Sequence, residues 1–192
     1  VLVAVEGVVV TMDSSGDTSD GVRLDIGTIE SGSVTPGGDR LVVTGATSTA
    51  LVGADGELIA SFDAQRPAGD PPLIGSTCFT TATADDTPEP RIAVVDTTDG
   101  SVLAEASGSE PLFSDASGCT VATTTPSGYD LVSAEGVSQF ETDDTPRALS
   151  LDGAAIAVER DGRLALAGSD PDASTDSIDL GPRGRTVHFT QT

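Results

Sequence analysis

Apolar residues along this chain occur in short runs that often alternate with polar residues, and they rarely recur at three- and four-residue spacing. Typical runs lie at 41–44, 58–62, 92–96 and 155–158, and most end near Asp-Gly, Glu-Gly or Pro-Gly pairs. Alternation over such lengths predicts β-strands, and the glycine-containing pairs predict tight turns between them. The pattern therefore predicts an all-β protein.

The beginning and the end of the chain resemble each other. Residues 3–6 (Val-Ala-Val-Glu) match 156–159 (Ile-Ala-Val-Glu), and residues 24–27 (Leu-Asp-Ile-Gly) match 178–181 (Ile-Asp-Leu-Gly). A strand–turn–strand unit recurs between these copies, at 49–62, 91–106 and 129–141. If four repeats separate the two copies, one repeat has about 38 residues, which is typical of a four-stranded β-propeller blade. An irregular β-sandwich with chance similarity is the alternative.

The phase of these repeats predicts a single five-bladed β-propeller with four-stranded antiparallel blades. The first strand of the chain resembles the second strand of a blade. Residues 185–190, at the other end, stand where the first strand of the next blade would be expected. The last strand is therefore expected to pair into the first blade and close the ring, which removes open sheet edges. The blades are predicted at 184–192 with 1–27, and at 28–66, 67–106, 107–143 and 144–183.

The hairpins at 50–58 and 92–103, together with residues 146–153, resemble small bacterial β-propeller repeats of the quinoprotein-like and surface-layer types. The resemblance extends over most of the chain, and it implies the fold. The Trp typical of quinoprotein blades is absent here. No cofactor is therefore carried over from that family, because fold does not imply function.

Charge narrows the classes of function. The 31 acidic residues against 9 basic ones give a net charge of −22, which disfavours nucleic acids and anionic membrane surfaces. No apolar run approaches the roughly 20 residues of a spanning helix, so this segment is not expected to insert into a membrane. The lack of Lys and Asn is typical of a GC-rich bacterium, with a halophile as the alternative. The start at Val1, without a leader, suggests a mature or trimmed ectodomain.

Cys78 and Cys119 are the only cysteines, and they stand in similar contexts, Ser-Thr-Cys-Phe-Thr-Thr and Ser-Gly-Cys-Thr-Val-Ala-Thr-Thr. Their spacing does not suit a zinc or redox motif. Equivalent places in neighbouring blades predict a disulfide, with two buried free thiols as the alternative. A disulfide would place the protein outside the cytoplasm, as a secreted, periplasmic or cell-surface protein.

Two sets of acidic loops are candidate sites. Loops 13–21 and 169–176, with Asp17 and Asp172 among their carboxylates, should meet on one face once the ring closes, where oxygen ligands would suit Ca²⁺. Solvated loops are the favoured reading there, because the EF-hand glycine and glutamate positions are not matched. On the opposite face, proline-rich loops form candidate interaction surfaces, with simple solubility as the alternative; their acidic residues are Asp70, Asp85, Asp86, Glu89, Asp143 and Asp144.

No catalytic or metal site is assigned. We expect a non-enzymatic extracytoplasmic propeller, monomeric alone, that acts as a protein-interaction or scaffold module of a cell-envelope or membrane-associated assembly. The alternative is a ligand-binding propeller, lectin-like or calcium-assisted. A glycosidase is less favoured, because the matched carboxylates Asp25 and Asp179 fall in outer strands and aromatic residues are few. The single histidine, His188, reads as structural.

Overall fold

The alternating pattern does form strands, and these follow one another in simple order. A computed structural model describes residues 2–5, 8–11, 15, 17, 21–63, 65–69, 72–83, 91–107, 111–168 and 178–182. Within these residues, nineteen strands form five antiparallel sheets in which chain neighbours are also hydrogen-bonded neighbours. The same described residues contain no helix long and apolar enough to cross a bilayer.

The first two sheets contain seven strands. Sheet 1 has three: β1 (Leu2–Val5), β2 (Val8–Thr11) and β3 (Val22–Arg23). Sheet 2 has four: β4 (Ile29–Val34), β5 (Arg40–Gly45), β6 (Ser48–Gly53) and β7 (Leu58–Asp63).

The remaining three sheets have four strands each. Sheet 3 contains β8 (Gln65–Pro67), β9 (Cys78–Thr83), β10 (Arg91–Asp96) and β11 (Val102–Ser107). Sheet 4 contains β12 (Pro111–Ser114), β13 (Thr120–Thr125), β14 (Gly128–Ser133) and β15 (Gly136–Glu141). Sheet 5 contains β16 (Thr145–Leu149), β17 (Ala155–Arg160), β18 (Arg163–Gly168) and β19 (Ile178–Pro182).

The all-β prediction is confirmed, and so are the three central hairpins. β6–β7, β10–β11 and β14–β15 are antiparallel pairs joined by the glycine-containing turns that the sequence indicates. The boundaries between sheets differ from the predicted ones by one or two residues. Gln65 and Arg66 belong to β8 of sheet 3, and Ser107 still belongs to β11 of the same sheet. Gln65 is held there because Thr81 Oγ1 donates to its side-chain oxygen at 2.6 Å.

The core consists of apolar layers between consecutive sheets. Val42 and Leu51 of sheet 2 cluster with Phe79 of sheet 3, whereas Leu41 and Val43 belong to the cluster shared with sheet 1. Similar clusters join sheet 3 to sheet 4 and sheet 4 to sheet 5. The middle strands are therefore buried on both faces, and each fully buried Val, Leu or Phe stabilises the fold by roughly 1.5–3 kcal/mol.

The ring-closing strand predicted at 185–190 and His188 within it lie outside the described residues. Sheet 1 has three strands among the described residues and begins with β1, which pairs with β2. This is the sheet to which the closing strand was assigned.

Candidate functional site

Three sheets connect their first two strands through turns of the same geometry, at 35–40, 115–120 and 150–155. In each turn the N–H of the first residue donates to the carbonyl five residues later, at 2.8–3.0 Å. The fourth residue is Gly38, Gly118 or Gly153, with φ of 75°, 76° and 72°. Residues with a Cβ rarely adopt this left-handed conformation, so glycine is favoured at this point of the turn.

The residue that begins each turn also uses its side-chain oxygen. Asp115 Oδ1 accepts the Thr120 N–H at 3.1 Å, and Ser150 Oγ accepts the Ala155 N–H at 2.9 Å. Thr35 Oγ1 donates within its own turn at 3.2 Å. Side-chain oxygens that bond to nearby backbone stabilise turns at the expense of regular structure.

These turns also bond to their neighbours on adjacent sheets. The N–H groups of Ser76 and Cys78, on sheet 3, donate to the carbonyls of Ala116 and Ser117 at 3.3 and 2.8 Å. The Ala116 N–H in turn donates to the carbonyl of Leu151, on sheet 5, at 3.2 Å. Sheets 3, 4 and 5 are therefore tied together at one end, which we call the turn face.

The predicted disulfide is present on this turn face. Cys78, the first residue of β9, is bonded to Cys119, directly before β13, with a Cα–Cα distance of 4.9 Å. The backbones approach closely beside it, since a Cβ on Gly75 would stand 2.1 Å from the Gly118 nitrogen. Sheets 3 and 4 are thus joined covalently where their chains already touch.

An open groove of about 500 Å³ lies between sheets 4 and 5 on the turn face. Its carboxylates are Asp115, Glu135 and Asp152, and its wall includes Cys119. Serine and threonine hydroxyls add hydrogen-bonding groups; they belong to Ser117, Thr120, Ser133 and Ser138. The described residues of the lining include no Arg, Lys or His. The groove is therefore acidic and polar.

Hydrogen bonds fix two of these carboxylates. Asp152 Oδ1 accepts the Ser150 hydroxyl at 2.6 Å and the Ala154 N–H at 3.1 Å, and these bonds lower the pKa of the Asp152 carboxyl. Asp115 Oδ2 accepts the Ser117 hydroxyl at 2.8 Å. Each of these two carboxylates retains lone-pair capacity for a further donor, in Asp152 on Oδ2. The groove therefore presents carboxylate acceptors, two of which are held in fixed positions.

The predicted interaction residues fall in different places. Asp143 is exposed on the connection between sheets 4 and 5. Asp144, on the same connection, has a side chain only 9% exposed and accepts from Arg160 Nε at 2.8 Å and Nη2 at 2.5 Å. Because Asp144 is committed to this pair, it holds the start of β16 against β17 and does not present a free charge.

The other predicted interaction residues can be placed only by the two strands between which they lie in the sequence. Asp85, Asp86 and Glu89 lie outside the described residues, between β9 and β10. Asp70 also lies outside them, on the connection between β8 and β9. The role of these four residues in an interaction surface stays a prediction.

The calcium hypothesis falls mostly outside the described residues. Asp17 is described and exposed, whereas Asp172 and the rest of the loop at 169–177 are not described. Within the described part of the chain, no three His, Cys, Asp or Glu side chains are grouped so as to hold a metal ion. Calcium binding by these loops stays a prediction.

The groove carboxylates Asp115 and Asp152 were missed at the sequence level. The signal that points to them is the shared pattern of an oxygen-bearing residue followed three positions later by glycine, at Thr35, Asp115 and Ser150. This pattern marks the turns, but their meeting across two sheets appears only in three dimensions.

Comparison with known proteins gives similarity of shape alone. No protein-family model matches the sequence, and no curated protein matches it. A crystal structure of the eukaryotic initiation factor is similar with 8% identity and a TM-score of 0.56, over 93% of this chain and 52% of that one.

Two further solved structures are similar at a lower level. Hsv2 of Kluyveromyces lactis has 13% identity and a TM-score of 0.46, over 88% of this chain and 57% of its own. The WD40 domain of SCAP from fission yeast has 13% identity and a TM-score of 0.44, over 91% and 51%. The chain spans 51–63% of the length of such structures. The described residues of this chain form five successive antiparallel sheets, which is the arrangement typical of β-propeller blades.

Proposed function

We propose that this protein is a non-enzymatic interaction module that binds a basic segment of a protein partner in the groove between sheets 4 and 5. The observation that carries the proposal is the arrangement of Asp115, Glu135 and Asp152 around one groove whose described lining has no cation. Arginine and lysine side chains are the protein groups that such acceptors recognise, and a guanidinium can bond two oxygens at once.

Rigidity makes this groove suitable for recognition. The turn at 115–120 is bonded to both neighbouring sheets, and its Asp115 is held from within the turn. An exposed ion pair contributes only about 0.2–1 kcal/mol, chiefly because mobile side chains must be ordered to form it. Carboxylates that are already fixed avoid part of that entropy cost, so several pairs together give specific binding.

The charge of the whole chain supports the same partner class. A net charge of −22 attracts a basic segment over a distance, which raises the association rate at low ionic strength. Binding should therefore weaken as salt is added, since the Debye length falls to about 8 Å at physiological ionic strength.

The test is binding of a nine-residue arginine-rich peptide, measured by fluorescence anisotropy at several salt concentrations. Glu135→Gln removes an exposed groove charge and should weaken binding about threefold or more, as expected for a rim charge pair. Asp143→Asn is the matched control, because it removes an exposed charge from the opposite end of the sheets. Equal weakening by both variants would mean attraction to net charge alone and would overturn the groove as the site.

For the architecture, we propose a five-bladed ring closed by residues 185–190, which would supply the fourth strand of sheet 1. Four successive interfaces between the five sheets support this arrangement. Each blade of such a ring contacts mainly its neighbours, so removal of residues 184–192 should cost several kcal/mol of unfolding free energy and expose a sheet edge. A truncated chain that stays monomeric with an unchanged melting temperature would contradict the ring.

For location, we propose an extracytoplasmic module of a cell-envelope or membrane-associated assembly. The Cys78–Cys119 bridge supports an oxidising compartment, where such bonds form and persist. Fractionation of the native host with an antibody to this chain, followed by thiol labelling before and after reduction, tests the proposal. Recovery from the cytoplasm with both thiols free would overturn it.

A further inference from the structure

The edge strands of the sheets differ from the inner strands in how regularly they pair. Among the strands that the structure describes, the four-stranded sheets have eight edge strands, and six of these pair with a register shift. The pairs between inner strands of the same sheets have no shift. Such shifts mark β-bulges, which twist an edge and prevent another chain from adding to it. Irregular pairing therefore protects most of the edges.

The two edge strands without a shift differ from each other. β8 is only three residues long and ends at Pro67, and both short length and proline protect an edge. β15 is six residues long, has no proline, and pairs with β14 over its whole length. β1, at the edge of sheet 1, also pairs regularly, and there the ring proposed above supplies a further strand. The outer edge of sheet 4 is thus long, regular and without a pairing strand among the described residues.

The backbone of β15 presents hydrogen-bonding groups along this edge. Bonded and non-bonded pairs alternate along an antiparallel ladder, and the two-residue turn at 134–135 closes this ladder at the bonded pair Ser133–Gly136. The Thr142 N–H donates to the Ser127 carbonyl at 3.0 Å, which agrees with the same phase. Every second residue of β15 therefore directs its N–H and C=O groups away from β14, namely Val137, Gln139 and Glu141.

The same strand borders the groove of the proposed function. Glu135 directly precedes β15 and Ser138 lies within it, and both line the groove between sheets 4 and 5. Cross-strand neighbours on one face of a sheet lie about 4.5–5.5 Å apart. A further strand beside β15 would therefore place every second side chain on the groove side, next to Ser138 and near Glu135.

We propose that the basic segment of the partner binds in extended form, as a fifth strand of sheet 4 that pairs with β15. The proposal rests on the function proposed above, and it specifies how the main chain of the partner is recognised. Backbone hydrogen bonds to the outward groups of β15 supply affinity that does not depend on the partner's sequence. Arginine or lysine at alternate positions of the added strand then supplies specificity through the groove carboxylates.

Charge favours a basic segment over a second copy of this chain at the same edge. Two copies would each carry a net charge of −22, and pairing of β15 with β15 would bring like charges together. Like charges opposite each other on neighbouring strands are destabilising. A basic segment instead meets the Glu135 carboxylate with opposite charge.

The first experiment measures a labelled nine-residue peptide of alternating arginine and threonine by fluorescence anisotropy. Gln139→Pro removes an outward N–H and places a ring in the path of the added strand, while the bonds from β15 to β14 remain. Binding should weaken about tenfold. Ser61→Pro on β7 is the matched control, because Ser61 pairs with Ala50 as Gln139 pairs with Asp130, on an edge that has a register shift. It should bind as the wild type does, and equal affinities of the two variants would overturn the added strand.

The second experiment follows amide hydrogen exchange of the wild-type chain by NMR, so it does not depend on the folding of a variant. In the free chain, the outward amides of Val137, Gln139 and Glu141 should exchange faster than those of Ser138 and Phe140, which bond to β14. A saturating concentration of the peptide should slow the outward amides at least tenfold. Unchanged exchange of these amides in the saturated complex would overturn the added strand.

The outcomes separate the two proposals. Peptide binding that is weakened by Glu135→Gln but leaves the outward amides unprotected overturns the added strand and leaves the groove as the binding site. Absence of peptide binding overturns the proposed function and, with it, the added strand. Protection of the outward amides without any peptide, lost on dilution of the protein, would identify a second copy as the occupant and overturn the basic segment.

Discussion

The junction between sheets 3 and 4 and the junction between sheets 2 and 3 hold the same kind of layer together by different chemistry. The first has a disulfide and backbone hydrogen bonds between its turns. The second has an edge-to-face contact of Phe62 with Phe79, whose ring centroids lie 5.7 Å apart, and Arg40 Nε donating to the Thr97 carbonyl at 3.1 Å. Repeated architecture therefore does not require repeated contacts. The two junctions should be destabilised by different changes, one by loss of the disulfide and the other by loss of side-chain packing.

The largest change in the free energy of unfolding should follow loss of the disulfide. Cys78→Ser/Cys119→Ser opens a loop of 41 residues, and the chain-entropy model gives a loss of about 4 kcal/mol in the free energy of unfolding. Urea denaturation of the variant and of the oxidised wild type measures this loss. A change below about 1 kcal/mol would mean that the backbone bonds alone secure this junction.

At the other junction, truncation of an aromatic ring should matter most. Phe62→Ala removes a buried ring that contacts Phe79, with an expected loss of about 3 kcal/mol in the free energy of unfolding. Phe62→Leu keeps most of the apolar volume and should cost about 1 kcal/mol. If adding a reductant changes the effect of Phe62→Ala by more than about 0.5 kcal/mol, the two junctions are coupled and the contrast between them fails.

A smaller effect is expected for the polar contact across the same junction. Arg40→Met keeps the aliphatic stem but removes the hydrogen bond to the Thr97 carbonyl, and we expect a loss of about 1 kcal/mol. Arg23→Met, on an exposed position of sheet 1, is the matched control and should be neutral. Similar losses in both variants would show that lowering the positive charge, and not breaking the contact, is responsible.

At the junction between sheets 4 and 5, we expect a change in stability that appears only at alkaline pH. Burial, together with the nearby Asp144 carboxylate, raises the pKa of Tyr129 to about 12. The unfolded chain ionises this group near pH 10, so stability should be intact below pH 10 and fall as the pH rises from 10 towards 12. Tyr129 is the single tyrosine, so absorbance of the phenolate reports it alone. Ionisation near pH 10 in the folded chain would contradict burial of this ring.

The parts of the fold that follow local rules could be predicted from the sequence. Strand alternation and the turns at Gly56 and Gly100 depend on neighbouring residues, and the equivalent places of Cys78 and Cys119 depend on the repeat. The hairpins and the disulfide therefore follow from local sequence and from the repeat.

Features that depend on contacts between distant segments could not be predicted. Asp144 reads as a free acidic residue at a loop tip until Arg160 is brought beside it by the pairing of β16 with β17. The groove arises because the turns of Asp115 and Asp152 meet across two sheets. Alternation fixes which face of a strand is buried, but it does not specify how far apart two loops of different sheets will stand.

The shared turn geometry has a consequence for how such a chain can change over time. Three different residues, Thr35, Asp115 and Ser150, begin the same turn, because the geometry requires only an oxygen there and a glycine three positions later. Few residue positions of each repeat are therefore constrained, and the other positions can be substituted without loss of the turn. Copies of such a repeat can lose nearly all resemblance in sequence while each sheet continues to present its turn at the same end.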